Sequence, residues 1–306
     1  MMSRQLVLKV DVDTWRGTCE GVPRLVDLFQ RYQVGATFLF SLGPDHTGRA
    51  LKRVFRPGFL RKVSRTSVLS HYGWRTLLYG VLLPGPDIGR QGAAILQQVQ
   101  QAGFEVGIHC WDHVAWQDQV PTQTSAWTAR QLESAVMRFR QVFGCAPLTH
   151  GAAGWQMNEA AYRQQLALGL RYASDSRGTA PYWPMNEAGE VIGVPQLPTT
   201  LPTLDELLGR DGWQAENVHE ALLALSAEAN SLQVFTLHAE LEGQKLLPVL
   251  ERLLQGWLAQ GYQLVSGETA LAGLNLPHLP KHYRRRGEVP GRSGELELQG
   301  PPYLAA

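Results

Sequence analysis

At 306 residues the chain has room for one large α/β barrel or two modest domains, and either could bury a full core. Apolar residues at 44% and charged residues at 18%, with nine each of Trp, Tyr and Phe, exclude a disordered chain. A formal net charge of +1 excludes a strong overall field and gives no sign of nucleic-acid binding.

Taken in chain order, Gln5 to Val12 alternates and is rich in Leu and Val, which reads as a strand, and Pro23 to Tyr32 follows with helical spacing through Leu25, Leu28 and Phe29. Ala36 to Ser41 reads as a second strand. Further strands are expected at Phe104 to His109, Leu148 to Ala152, Leu170 to Ser174, Val191 to Leu197, Gln233 to His238 and Tyr262 to Ser266. Helical patterns lie between most of them, at Gln91 to Gln101, Ala126 to Phe143, Asn158 to Ala167, Val218 to Ala229 and Leu246 to Gln260. Strands alternating with helices this often point to a parallel sheet in a closed or nearly closed barrel.

Two stretches break the pattern. Residues from about 44 to 86 mix basic and bulky apolar side chains over a length too great for an ordinary βα connection, and read as an inserted lid after the second strand. From Pro277 onward KHYRRRG and a Gly- and Pro-rich sequence lack apolar periodicity, so residues 277–306 are expected to form a flexible tail outside a barrel domain of residues 1–276. The apolar stretch near the N-terminus is interrupted by Asp11 too soon for a signal peptide, and no apolar run approaches the roughly 20 residues that span a bilayer. Cys19, Cys110 and Cys145 are odd in number and lack C-x-x-C spacing, which suits a reducing compartment, and a cytoplasmic protein is expected.

The chemistry gathers at strand ends. Asp11 and Asp13 share one strand face by their i, i+2 spacing; buried together they would need a proton or a metal ion to relieve their repulsion, and solvated they would serve as an ordinary turn or cap. His109 and His113 follow a later strand, and an i, i+4 pair on one helical turn brings two imidazoles to a single ion, although surface histidines often share that spacing. His238 ends another apolar strand and is either a satisfied core histidine or a general acid. In a parallel barrel the strand C-termini share one rim, which makes these residues candidates for a single site. Two imidazoles and a carboxylate suit one divalent transition metal ion, Zn²⁺, Co²⁺, Mn²⁺ or Fe²⁺, with positions left open for water and substrate.

The D-x-D after the first strand, the H-x-x-x-H after a middle strand and the late strand ending in Leu-His resemble the polysaccharide deacetylase family, carbohydrate esterase family four. The resemblance implies a distorted, incomplete (β/α) barrel in which Asp13, His109 and His113 bind the metal, Asp11 is the base and His238 the acid. The longer strings DVDTWRGTCEGVPRL, FSLGPDHTGR, GIHCWDHVAWQ, AAGWQ, YASDSRG, PTTLPTLDELLGRD and TLHAELEG, over residues 6 to 275, resemble a branch of that family. For that branch the resemblance implies removal of a formyl group from an aminoarabinose carried by undecaprenyl phosphate, a step in modifying lipid A and resisting polymyxin. Other readings are a deacetylase of a soluble oligosaccharide or peptidoglycan fragment, and a metal-binding barrel that recognises a lipid-linked sugar without catalysis.

One departure stands out. The family's third motif usually offers an Arg that orients the base, and His150 to Trp155 contains none; Arg16 or Arg177 is expected to take its place, unless either faces solvent. Trp155 is a further candidate near substrate, Asp175 is either a supporting carboxylate or a turn residue, and Glu240 either bonds a sugar hydroxyl or faces solvent. A lipid-linked substrate gives the insertion a meaning. Arg53, Arg56, Arg61, Lys62 and Arg65 would meet anionic headgroups while Phe55, Phe59, Leu60 and Trp74 enter the interface, on the inner face of the cytoplasmic membrane; the other reading is a lid packed on the barrel.

Overall fold

The computed structural model describes residues 4–50, 75–229 and 231–304. In chain order the strands are β1 (Arg4–Val12), β2 (Thr37–Ser41), β3 (Glu105–Cys110), β4 (Thr149–His150), β5 (Tyr172–Ala173), β6 (Trp183–Met185), β7 (Gln233–His238), β8 (Tyr262–Val265), β9 (Lys281–Glu288) and β10 (Glu295–Pro302). Seven form one parallel sheet in the order β5-β4-β3-β2-β1-β7, with β8 paired to the first half of β1.

β1 organises the molecule because both of its faces are covered. Leu6, Leu8, Val10 and Val12 pack outward into the helices, and each side chain taken from water contributes about 1.5–3 kcal/mol. The alternate residues turn into the barrel, where Val7 meets Tyr172, Leu197 and Val234, and Lys9, Asp11 and then Asp13 follow upward. The interior therefore changes from apolar at its floor to charged at its rim within a single strand.

The helices follow the apolar spacing to within about two residues at each end. Val22–Tyr32 carries Pro near its start and ends on Gln33 in the left-handed region. Ser125–Phe143 is capped by Thr124 and stopped by Gly144 at φ 70°, and Glu159–Ala167 is capped by Asn158, whose side chain accepts from Ala161 N. Ala93–Gln101, Val218–Ala227 and Leu247–Ala259 complete the expected set.

Between β5 and β7 the barrel is joined irregularly. Val191 to Leu197, expected as a strand, makes only single bridges, Ala173 and Tyr182 with Gln196 and Met185 with Val191, and Thr200 N then donates to Val234 O at 3.1 Å. Pro195 and Pro198 remove the amide donors that a regular ladder would need. The result is the distorted, incomplete parallel barrel expected from the sequence.

The tail differs from expectation. β9 and β10 pair antiparallel, and β9 joins β6 in a second sheet of three strands. Ion pairs stand where apolar periodicity was sought: Arg284 grips the buried Glu297 through two bonds of 2.8 and 2.9 Å, and Arg286 reaches Glu295 and Gln156. Leu296 is buried too, so the C-terminal segment belongs to the packed structure.

The insertion closes at its neck through a bridge between Pro44 and Asp87 and a bond from Asp45 N to Pro86 O. Residues 51–74, which include Arg53, Phe55, Arg56, Phe59, Leu60, Arg61, Lys62, Arg65 and Trp74, lie outside the described residues.

Candidate metal and catalytic centre

Three strands deliver the centre. Asp11 lies near the end of β1 in register with His238 at the end of β7, and Asp13 follows in the turn beyond. His109 projects from β3. His113 is the first residue of helix His113–Gln119, whose cap is Asp112, with Oδ1 accepting from Ala115 N at 3.0 Å. The two histidines therefore do not share a helical turn as the spacing suggested; a strand-to-helix corner brings their rings to 5.3 Å.

Ligand atoms of Asp13, His109 and His113 all lie within 4.8 Å of one another. His109 Nε2 is 3.2 Å from Asp13 Oδ1, and His113 Nε2 is 3.4 Å from Asp13 Oδ2. The other nitrogen of His109, Nδ1, lies 2.7 Å from Gly151 O. A carbonyl only accepts, so Nδ1 carries the proton and Nε2 turns its lone pair inward. Asp13 Oδ1 is buried without a hydrogen bond among the described residues. Burial works against the charge of Asp13, yet His113, His109 and His238, in their cationic form, outweigh it and hold the carboxyl below the usual carboxylate range. A carboxylate and imidazole lone pairs facing one another across a few ångströms fit a divalent cation.

Behind the ligands stands Glu240, 1% exposed, whose Oε1 accepts from Asp13 N at 3.1 Å, Thr14 N at 2.8 Å and Thr14 Oγ1 at 2.8 Å. It thus holds the loop that carries Asp13 and does not face solvent. Gly17 makes the approach possible, since a Cβ there would lie 1.9 Å from Glu240 Oε1. Burial, aided by Asp13, pushes the Glu240 carboxyl well above the ordinary range. Glu242 Oε2 accepts from His238 N at 2.7 Å, and burial pushes its carboxyl up to about 7 although His238 pulls the other way.

The cation beside Asp11 is Lys9, with Nζ 3.2 Å from Oδ2 and both side chains buried. Neither arginine proposed from the sequence holds that place. Arg177 is committed to Glu206 and to the carbonyls of Thr199 and Leu201, and Arg16 pairs with Glu20 one turn along. The sequence carries a signal for this pairing: a lysine inside an apolar strand, two residues before a carboxylate, must share its face.

Trp155 is buried, donates Nε1 to Thr199 Oγ1 at 3.2 Å, and has Arg292, Arg177 and Lys9 at 4.7, 5.1 and 5.4 Å from its ring centre. Asp175 is fully buried against His150 Nδ1 at 2.6 Å, with Gln165 and Gln196 donating to its second oxygen. There it satisfies a histidine between sheet and helix. On the rim, His46 Nδ1 lies 2.6 Å from Asp112 Oδ2, which ties the neck of the insertion to the residue before His113.

Residues 6–173 match the family model described as Polysaccharide deacetylase. A protein of Shewanella sediminis named "Probable 4-deoxy-4-formamido-L-arabinose-phosphoundecaprenol deformylase ArnD" is 39% identical over 258 residues, 83% of this chain and 82% of its own. A protein of the same name from Wigglesworthia glossinidia brevipalpis is 27% identical over 92% of this chain and 98% of its own. Among solved structures, a probable polysaccharide deacetylase from Pseudomonas aeruginosa superposes with a TM-score of 0.62 at 15% identity, over 90% of this chain and 92% of that one. A Bacillus anthracis chain described as a CE4 family pseudoenzyme superposes with a TM-score of 0.50 at 12% identity, over 88% of this chain and 66% of that one. These structural likenesses speak to the fold alone.

Proposed function

The chain belongs to the polysaccharide deacetylase family, hydrolases of amide carbon–nitrogen bonds, and we propose that it removes the formyl group from 4-deoxy-4-formamido-L-arabinose linked to undecaprenyl phosphate. The substrate in this reading comes from the names of the two curated relatives. The observation that carries the chemistry is the meeting of Asp11, Asp13, His109, His113 and His238 at one end of the barrel.

Asp13, His109 and His113 would hold one divalent transition metal ion, zinc, cobalt, manganese or iron, which when bound polarises the amide carbonyl and makes water more acidic. Asp11 takes the proton from the attacking water. Its Oδ2 is engaged by Lys9, while Oδ1 is buried and without a hydrogen bond among the described residues. His238, whose Nδ1 has no hydrogen-bond partner among the described residues, gives a proton to the sugar nitrogen as the carbon–nitrogen bond breaks. Water adds across that bond, leaving formate and a 4-amino sugar still on its lipid. The new amine is cationic near neutral pH, which suits a step toward lipid A modification and polymyxin resistance.

A lipid carrier requires access from a membrane surface, and no helix among the described residues is long and apolar enough to cross one. Support for peripheral contact comes from the described end of the insertion. Val81, Leu82 and Leu83 are 55%, 75% and 37% exposed in a turn braced by Leu78 O and packed near His46. The test is mass spectrometry of a formamido-arabinose phosphopolyprenol incubated with the protein, with and without chelator. Loss of formyl that stops with chelator is expected; no metal-dependent loss overturns the proposal. For the surface, Leu82→Asp should weaken flotation with anionic liposomes, and unchanged flotation removes that contact.

A further inference from the structure

Lys9 presents a physical problem that its neighbours solve in one direction. Only 1% of its surface reaches solvent, and an ammonium taken from water costs several kcal/mol unless it is paired. Its carboxylate partner is Asp11, on the same strand face, and no other lysine or arginine among the described residues pairs with that carboxylate. The rest of its surroundings offer little to an ammonium. The stem runs past Gly151, where an added Cβ would lie 2.9 Å from Lys9 Cε, and the ammonium faces the Trp155 ring. For stability alone a methionine of similar length would fill this space without the desolvation cost, and such replacements of buried ion pairs are often neutral or stabilising when both charges are removed.

The geometry is asymmetric at Asp11. Oδ2 is taken by Lys9, whereas Oδ1 has no hydrogen bond among the described residues and stands 3.8 Å from Nδ1 of His109, the ring whose other nitrogen faces Asp13. A base needs that arrangement: one oxygen anchored and the other presented to the proton it will take. We propose that Lys9 is the positioning residue for Asp11, anchoring the carboxylate so that Oδ1 faces the attacking water, in place of the arginine that the third family motif lacks here. The anchor is itself fixed from behind. Trp155, in the left-handed region at φ 51°, closes over Lys9, and Arg177 and Arg292, both bound to Glu206, lie against the Trp155 ring. Arg292 comes from the turn between β9 and β10, so the C-terminal hairpin helps to hold the base through Trp155 and Lys9.

This inference rests on the proposed hydrolysis, but one arm of its test does not. Crystal structures of Lys9→Met and Lys9→Arg should show the Asp11 carboxylate swung from its anchored rotamer in the first and kept in the second. An unmoved carboxylate in Lys9→Met overturns positioning, whatever substrate the protein takes. In turnover of the formamido sugar lipid, Lys9→Met should bind metal at wild-type stoichiometry and keep KM within about 3-fold, while kcat falls about 100-fold or more, the scale of a lost general base. Lys9→Arg should recover at least about a tenth of the wild-type kcat because it restores the cation. Added to Asp11→Asn, Lys9→Met should slow the enzyme no further, since the anchor has lost what it anchors. A wild-type kcat in Lys9→Met, or losses in the double variant that multiply, would overturn it. If Lys9→Met does not fold, Lys9→Gln takes its place with the same outcomes.

Discussion

Glu240→Ala takes away the one oxygen that accepts from Asp13 N, Thr14 N and Thr14 Oγ1. The threonine hydroxyl can turn elsewhere, but two backbone N–H groups are left buried and unpaired, at about 1–3 kcal/mol each, or roughly 2–6 kcal/mol together. The loop they belong to carries Asp13, so metal affinity should fall by about 10–100-fold, the usual range for losing a group that orients a ligand. Glu240→Gln separates acceptance from charge. Its amide oxygen can take all three bonds, and Glu240 Oε2 has no hydrogen-bond partner among the described residues while burial raises the carboxyl toward its protonated form, so the amide should cost less than about 1.5 kcal/mol. Urea melts of the apoprotein give the stability, and competition with a chelating dye gives the metal affinity. An alanine variant within about 1 kcal/mol of wild type and with unchanged metal affinity would refute the reasoning, as would a glutamine variant as damaged as the alanine one.

Glu242 predicts a pH dependence of stability. Its folded carboxyl titrates at about 7, above the unfolded value, so the native state keeps a proton that the unfolded chain releases. The contribution is full below roughly pH 4.3 and is lost as pH rises through the folded value, so urea melts at pH 5 and pH 8 should differ less in Glu242→Gln than in wild type; an unchanged difference contradicts this. Asp11→Asn should keep bound metal and lose turnover, whereas His109→Ala should lose metal; normal metal content in the latter would refute the ligand assignment. Arg284→Met strands the buried charge of Glu297, and because Arg284 is itself 24% exposed the loss should sit near the low end of the 3–5 kcal/mol range, about 3 kcal/mol. Calorimetry reads it as a fall in Tm of roughly 5 °C or more, and a shift under about 2 °C would show that the hairpin is not anchored there.

Much of the barrel was legible because local and long-range preferences agree. β1 alternates cleanly, the main helices carry matching apolar faces, and Thr124 and Asn158 mark their starts. The strand-end logic also gathered the five central side chains, although it misjudged the corner at His113, where Asp112 ends the strand's influence and caps a new helix. What failed had nonlocal causes. Glu240 follows His238 by two residues, but the chain leaves β7 at His238, so alternation no longer says where Glu240 points; its partners are 227 and 226 residues away. Lys9 was legible in principle, since its strand face follows from Asp11. β9 and β10 escaped because their order comes from strand pairing and Arg–Glu contacts, which a search for apolar periodicity passes over.

The central place of β1 carries a consequence for synthesis. It pairs with β2 nearby but also with Gln233–His238 and Tyr262–Val265, which leave the ribosome more than two hundred residues after it. Until then one edge of an apolar strand stays open, and the loop bearing Asp13 has no Glu240 to hold it. Long-range pairing of this kind slows folding and lengthens exposure to aggregation. Asp11 and Asp13, made long before the partners that hold them, are thus among the last to reach their working geometry, and nascent chains halted before residue 233 should neither retain metal nor resist protease across β1.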